Sequence, residues 1–290
     1  MPPGTSFSFT LSRKRPASDQ QQRSFKLLAL KHEYRLGLLT LALLNGVVLL
    51  FNITDLRYVW IDYSNTSPQE LSQYVHEGTW LLLFTIALAI AIVLYFFRRN
   101  LNFFPNNDFL KALAGIWLFQ NLVLTLSVAM RNIHYVNHYG LAYKRLAVFF
   151  FLLLTIFSIW TIYQKVFAKR TRFYLLQLNC LAIYLLLLLA STVNWDTLIT
   201  KYNILIHQKG SLDVYFLVHE VSDKNIPILY AHQDVLINRS TYSKVVIDRL
   251  LRQKSERFMT RKAKQNWRDW NWQDRQTERY LLAHPDLAFK

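Results

Sequence analysis

Arg131 to Arg145 reads RNIHYVNHYGLAYKR, a polar, basic and aromatic insert between two long apolar runs. It holds two of the chain's eight histidines, His134 and His138, at i,i+4 spacing. On a helix that spacing sets two imidazoles on one face, as metal-binding helices do. His76, Glu77 or Asp196 would be candidates for a third ligand. The chain contains no HExxH, however, and an HxxxH pair near a membrane interface is more often a hydrogen-bonded polar patch. The expectation is therefore no metal and no cofactor, with His134 and His138 as weak metal candidates. Gly140 is expected to interrupt or cap a helix. GxSxG, GxxxxGK[ST] and the dinucleotide-binding glycine fingerprint are all missing from the 290 residues. The single cysteine, Cys180, allows no intrachain disulfide, and its apolar run argues against a nucleophile.

The elements that must position this stretch are apolar. Hydrophobic residues make up 52% of the chain and charged ones 18%, below the ~25% usual for a soluble domain. The charges also cluster, leaving five runs near 36–53, 80–97, 112–130, 146–167 and 173–193. Each approaches the ~20 residues a helix needs to cross ~30 Å of hydrocarbon. None alternates with the period of a barrel strand, and only helices or closed barrels satisfy their backbones in lipid. The predicted fold class is all-α: an integral membrane bundle of about five transmembrane helices over residues 31–196. A disordered tail is expected over 1–30, and a small, mostly helical, basic and Trp-rich region over 197–290.

Lysine and arginine counts give an orientation. With the N-terminus inside, the inner segments hold 14 and the short outer loops 4. The positive-inside rule then favours an inner N-terminus, and five crossings put the C-terminal region outside. The net charge of +16 is read as this topology and not as a nucleic-acid surface. On this arrangement Glu77, Arg131, His134, Tyr135, His138, Tyr139, Arg145, Asn194 and Asp196 share one membrane level. Isolated charges there are costly, so Arg131 or Arg145 is expected to pair with Glu77 or Asp196.

Within the runs the polar residues are amides and hydroxyls: Asn45, Gln120, Asn121, Thr125, Thr155, Ser158, Gln177 and Asn179. Interhelical hydrogen bonding is their expected role. A transport path would want a buried acid or a broken helix at mid-membrane. In the C-terminal region, Arg252 to Arg268 carries seven basic residues and one acid, followed by Trp270 and Trp272. The 252–272 block is either a solvated helix with packed tryptophans or a surface for anionic lipid or a protein partner.

Two segments carry a resemblance. They are RNIHYVNHYGLAYKR, through Arg131, Asn132, Tyr135, Tyr139, Gly140, Leu141 and Tyr143 to Arg145, and NWDTLITKYN, through Asn194 to Asp196 with Tyr202 and Asn203. Together with the apolar runs over about 36 to 205, and further through the tail to the WRDWNWQD block, they resemble the bacterial multi-pass membrane family called domain of unknown function 4173. They are also similar to the related family 4153. Ala142 departs from the small hydroxyl residue expected there. The resemblance implies an integral protein of the bacterial cytoplasmic membrane and brings no activity. The function expected is a non-enzymatic membrane component or partner-binding protein. A transporter or channel subunit, or an embedded enzyme with an outer-face polar site, are the alternatives.

Overall fold

The structure, a computed structural model, describes residues 17–57, 80, 84, 87, 91, 107–207 and 212–285. Among these the chain is helical throughout, with no strand. Helix α1 spans Ala17–Leu56, α2 Asp108–Tyr139, α3 Tyr143–Phe167 and α4 Arg172–Thr192. Each holds a stretch of 20 to 32 residues long and apolar enough to cross a membrane. Large apolar side chains such as Leu43, Leu50, Phe119, Leu153 and Leu187 point outward along these helices, as lipid-facing residues do. The all-α membrane bundle is thus the architecture.

Two boundaries differ from expectation. Residues 17–30, expected within a disordered tail over 1–30, belong to helix α1, and 1–16 lie outside the described residues. Ala17 to Lys31 follows Pro16 and contains no glycine or proline, so good helix formers such as Gln, Arg and Leu carry the helix outward. Helix α2 continues nine residues past Met130, to Tyr139. His134 and His138 therefore stand on its last turns, and the connection to α3 is only 140–142. The 80–97 run lies outside the described residues except for Trp80, Phe84, Ala87 and Ala91, which are helical.

Amides set how the helices pair. Asn45 Nδ2 donates to Leu41 O at 2.7 Å within α1 and to Leu113 O of α2 at 3.1 Å. Two turns on, Asn52 Nδ2 donates to Gln120 O at 3.2 Å. The constant offset makes α1 and α2 parallel, so the end of α1 and the start of α2 lie at opposite ends of the bundle. Helices α2 and α3 are antiparallel: Asn132 Nδ2 reaches Arg145 O at 2.9 Å near the turn, and Gly115 faces Phe167 at the far end. Between α3 and α4, Ser158 Oγ donates to Asn179 Oδ1 at 2.6 Å, and Asn179 Nδ2 donates to Thr161 Oγ1 at 2.9 Å. These bonds bear out the interhelical role read for Asn45, Ser158 and Asn179, whereas Asn121, Thr125 and Thr155 bond to carbonyls of their own helices and Gln177 is exposed. Leu41, Val48, Trp117, Leu124, Leu152, Ile162 and Val166 form the bundle's apolar core.

After α4 the chain folds as short helices. They are α5 (Trp195–Lys201), a π-helical turn Tyr202–Ile206, a second π-helical turn Phe216–Glu220, α6 (Ile226–Ala231), α7 (Gln233–Arg239), α8 (Lys244–Ala263) and α9 (Trp272–Ala283). Their core is continuous with the end of the bundle. Val136 and Leu141 pack in one cluster with Ile199, Ile204, Leu217, Leu229, Leu236, Ile247 and Leu251. Burying one such side chain fully is worth roughly 1.5–3 kcal/mol. The C-terminal region is therefore a cap seated on the bundle.

Candidate functional site: the joint at the end of the bundle

The turn between α2 and α3 is where bundle and cap meet. Gly140 ends α2 with its N–H bonded to Val136 O at 2.8 Å and φ of +79°, a backbone that favours glycine. Space demands glycine as well: a Cβ there would lie 2.5 Å from Asn203 Oδ1. Asn203, buried in the first π-helical turn, bonds both polar groups of the next residue. Its Oδ1 accepts from Leu141 N at 2.6 Å and its Nδ2 donates to Leu141 O at 2.8 Å. The two sequence segments singled out above are thus the two that touch.

Asp196 is the second contact. Asn194 caps α5 by accepting from Thr197 N at 3.2 Å, which places Asp196 in the first turn. The hydroxyl of Tyr143, at the start of α3, donates to Asp196 Oδ1, and Lys224 Nζ lies 3.8 Å from Oδ2. One buried carboxylate therefore ties a membrane helix to two parts of the cap. Trp195 adds an indole N–H to Ala190 O at 2.6 Å, and its ring meets Phe150 edge-on.

Arg131 turns the other way. Its guanidinium pairs with Asp55 Oδ1 on α1, while Ser127 Oγ donates to Asp55 Oδ2. Both Asp55 and Ser127 are buried. Among the described residues the carboxylate that Arg131 meets is Asp55 and not Asp196. The parallel packing of α1 carries Asp55 alongside the last turns of α2, a neighbour that sequence distance conceals. Arg145 pairs with no carboxylate among the described residues. It donates to Tyr139 O at 3.0 Å and to Gly140 O, and lies 4.2 Å over the Tyr135 ring. A guanidinium on the last carbonyls of a helix is the favourable end of its dipole. Glu77 and His76 lie outside the described residues.

Of the remaining residues, Tyr135 and Tyr139 meet edge-on at 4.9 Å, and His138 packs edge-on against Tyr139 at 4.7 Å. His138 is exposed and His134 half-buried. Among the described residues no three His, Cys, Asp or Glu side chains gather into a metal-holding group. Of the residues expected at this level, Tyr143's partner Asp196 and the Arg145–Tyr135–Tyr139 stack are at the joint. Asn203 and Lys224 complete the joint, and Asp55 and Ser127 hold Arg131 within the bundle; of these four only Asn203 is named from the sequence, through the resemblance.

Inside the cap, Lys254 is fully buried on α8. Its ammonium donates to Leu217 O at 3.0 Å and Val221 O at 2.7 Å, the carbonyls around the end of the second π-helical turn. Burial pulls its pKa down from 10.5 to about 8. Asp223 and Asp196 oppose that shift and Arg257 adds to it. The pKa of Tyr230 is raised by burial, against a hydrogen bond shared between its hydroxyl and that of Ser255 at 3.2 Å. On the outer side of α8 an open groove of about 570 Å³ is lined by His219, Arg257, Thr260, Arg261 and Lys264, with Glu256 at its side. Arg261 pairs there with Asp223 at 3.0 Å.

Comparison with known proteins identifies one family. The model described as "Domain of unknown function (DUF4153)" matches residues 3–232, and the chain belongs to that family. The match covers the 36–205 stretch and ends before α8, so the WRDWNWQD block to which the resemblance was extended lies outside it. No curated protein and no solved structure matches.

Proposed function

We propose, from membership of this family of unknown function and from the geometry of the joint, that the protein is a non-enzymatic membrane component. In this reading the bundle is an anchor and the cap is a rigid platform presenting a basic face to an acidic partner surface. The observation that carries it is the joint itself. Tyr143, Asp196, Lys224 and Asn203 are engaged in bonds that fix the cap, and Arg145 holds the α2–α3 turn on which the cap sits. The basic residues Arg257 and Lys264 and the indoles of Trp270 and Trp272 face outward instead. The lysine and arginine balance supports an inner N-terminus and an outer cap, and the family resemblance supports a bacterial cytoplasmic membrane. The parallel α1–α2 packing supports a fifth crossing between them. A topology reporter after Lys290 reads outside the cytoplasm on this account, and an inside reading reverses the orientation.

The platform itself is tested with the full chain in neutral proteoliposomes mixed with vesicles carrying phosphatidylglycerol. Recruitment falls with salt, and falls again with Arg257→Gln and Lys264→Gln. Recruitment equal to that of protein-free liposomes contradicts anionic lipid as the partner surface and leaves an acidic protein to be tested.

A second reading, a transporter or channel subunit, has one observation of its own. Asn45, Asn52, Gln120 and Asn121 each hold a buried amide oxygen with no hydrogen-bond partner among the described residues. The first three lie along the α1–α2 contact that ends at the buried Asp55 and the half-buried Arg131. Ionisable groups at membrane depth commonly mark such paths. Ion flux in proteoliposomes that Asn121→Leu abolishes would favour this reading over the platform.

A further inference from the structure

Among the described residues helix α4 stands apart from the other membrane helices. Its main contact there is α3, through Asn179, and none of its most apolar stretch is buried. On the side away from α3 lies a row of residues at alternating four- and three-residue spacing: Gln177, Leu181, Tyr184, Leu188 and Ser191. That is the seam spacing of two α-helices packed side by side in a left-handed supercoil. All five are exposed, Tyr184 to 62%.

Two of these residues are ill-suited to lipid. Tyr184 stands roughly 16 Å along the apolar span from Phe173 and roughly 12 Å from Thr192, near mid-membrane. Its hydroxyl would meet only hydrocarbon there, and an unbonded hydroxyl in such a medium costs several kcal/mol. Gln177 adds an outward-facing amide two turns away on the same face. Asn179, about half a turn round from Gln177, shows how the other side of this helix satisfies an amide: through Ser158 and Thr161 of α3.

We propose that this seam packs against the same seam of a second copy of the chain. A two-fold axis along the membrane normal sets each residue against its own counterpart. The amide of Gln177 and the hydroxyl of Tyr184 each both donate and accept, so each pairs with itself. The seam carries no charge to repel its copy. Leu181 and Leu188 supply the apolar layers between the polar ones. The inference is independent of the platform and transport readings.

Cysteine crosslinking in native membranes tests it, because Cys180 is the chain's single cysteine. In a Cys180→Ser background, Leu181→Cys sits on the seam and Ile183→Cys sits on the opposite side. A disulfide needs Cα atoms about 4.4–6.8 Å apart. Oxidation with copper phenanthroline gives a species of twice the chain's mass from Leu181→Cys and none from Ile183→Cys. Adding Gln177→Leu and Tyr184→Phe lowers the yield by roughly 3- to 10-fold, the value of lost interhelical hydrogen bonds. Both substitutions face outward, and an unchanged melting temperature in detergent verifies the fold. The proposal is overturned by no dimer from Leu181→Cys, by equal yield at both positions, or by a yield indifferent to the double substitution. Crosslinking to a protein of another mass overturns it too.

Discussion

The joint and the outer face of α4 are built from similar residues and differ in where their polar groups go. At the joint a tyrosine hydroxyl meets a buried carboxylate and an asparagine bonds both polar groups of Leu141. On α4 a tyrosine hydroxyl and a glutamine amide point away from the protein at membrane level. The first arrangement fixes the chain to itself, and the second leaves hydrogen bonds to be made outside it. Residue type is therefore a poor guide to role here, and geometry decides.

The largest effect that sharpens this contrast is expected on the internal side. Asp55→Ala leaves the half-buried Arg131 guanidinium without its carboxylate and costs about 2–4 kcal/mol. A denaturant titration of the detergent-solubilised chain measures it. Replacing Asp55 and Arg131 together by leucine recovers most of the loss.

Lys254 gives a pH signature inside the cap. Burial disfavours its charged form, so the unfolded chain still holds the proton where the folded one has released it. Stability attributable to this residue therefore rises with pH from about 8 towards 10.5. The rise is on the order of 3 kcal/mol. Thermal melts across that window show it in the parent chain and lose it in Lys254→Met.

Gly140→Ala comes next. It combines a positive φ with a Cβ 2.5 Å from Asn203 Oδ1, and costs about 1–3 kcal/mol. Limited proteolysis of the 195–285 region reads the loosened cap. The smallest effect falls on α4. Gln177→Leu with Tyr184→Phe leaves the melting temperature of the monomer in detergent within about 0.5 kcal/mol equivalent of the parent. A large loss there would place those side chains inside the fold and erase the contrast.

Much of the fold was legible because lipid imposes strong rules on sequence. Apolar runs long enough to span, and depleted of charge, read directly as helices. Gly140 was legible as a helix stop, because only the backbone is at issue. Partners were not. Asp55 lies at the end of an apolar run, and nothing local shows that a parallel helix brings it to Arg131, 76 positions on. His134 and His138 read as the chemistry of the stretch. The structure instead puts the constraints on Gly140, Tyr143 and Asn203, through contacts made by a segment sixty residues away. The seam on α4 was present in the sequence as a spacing. It acquired meaning only once Asn179 was seen to face α3 and the other side was seen to be open.

The central claim is that Tyr143 and Asp196 together hold the cap to the bundle. A double-mutant cycle on the full chain tests it most directly, with Tyr143→Phe, Asp196→Asn and both, each read by denaturant stability. The account predicts a coupling of about 1–2 kcal/mol between the two substitutions. Additivity within about 0.3 kcal/mol would show that the two side chains do not act together, and would contradict the account.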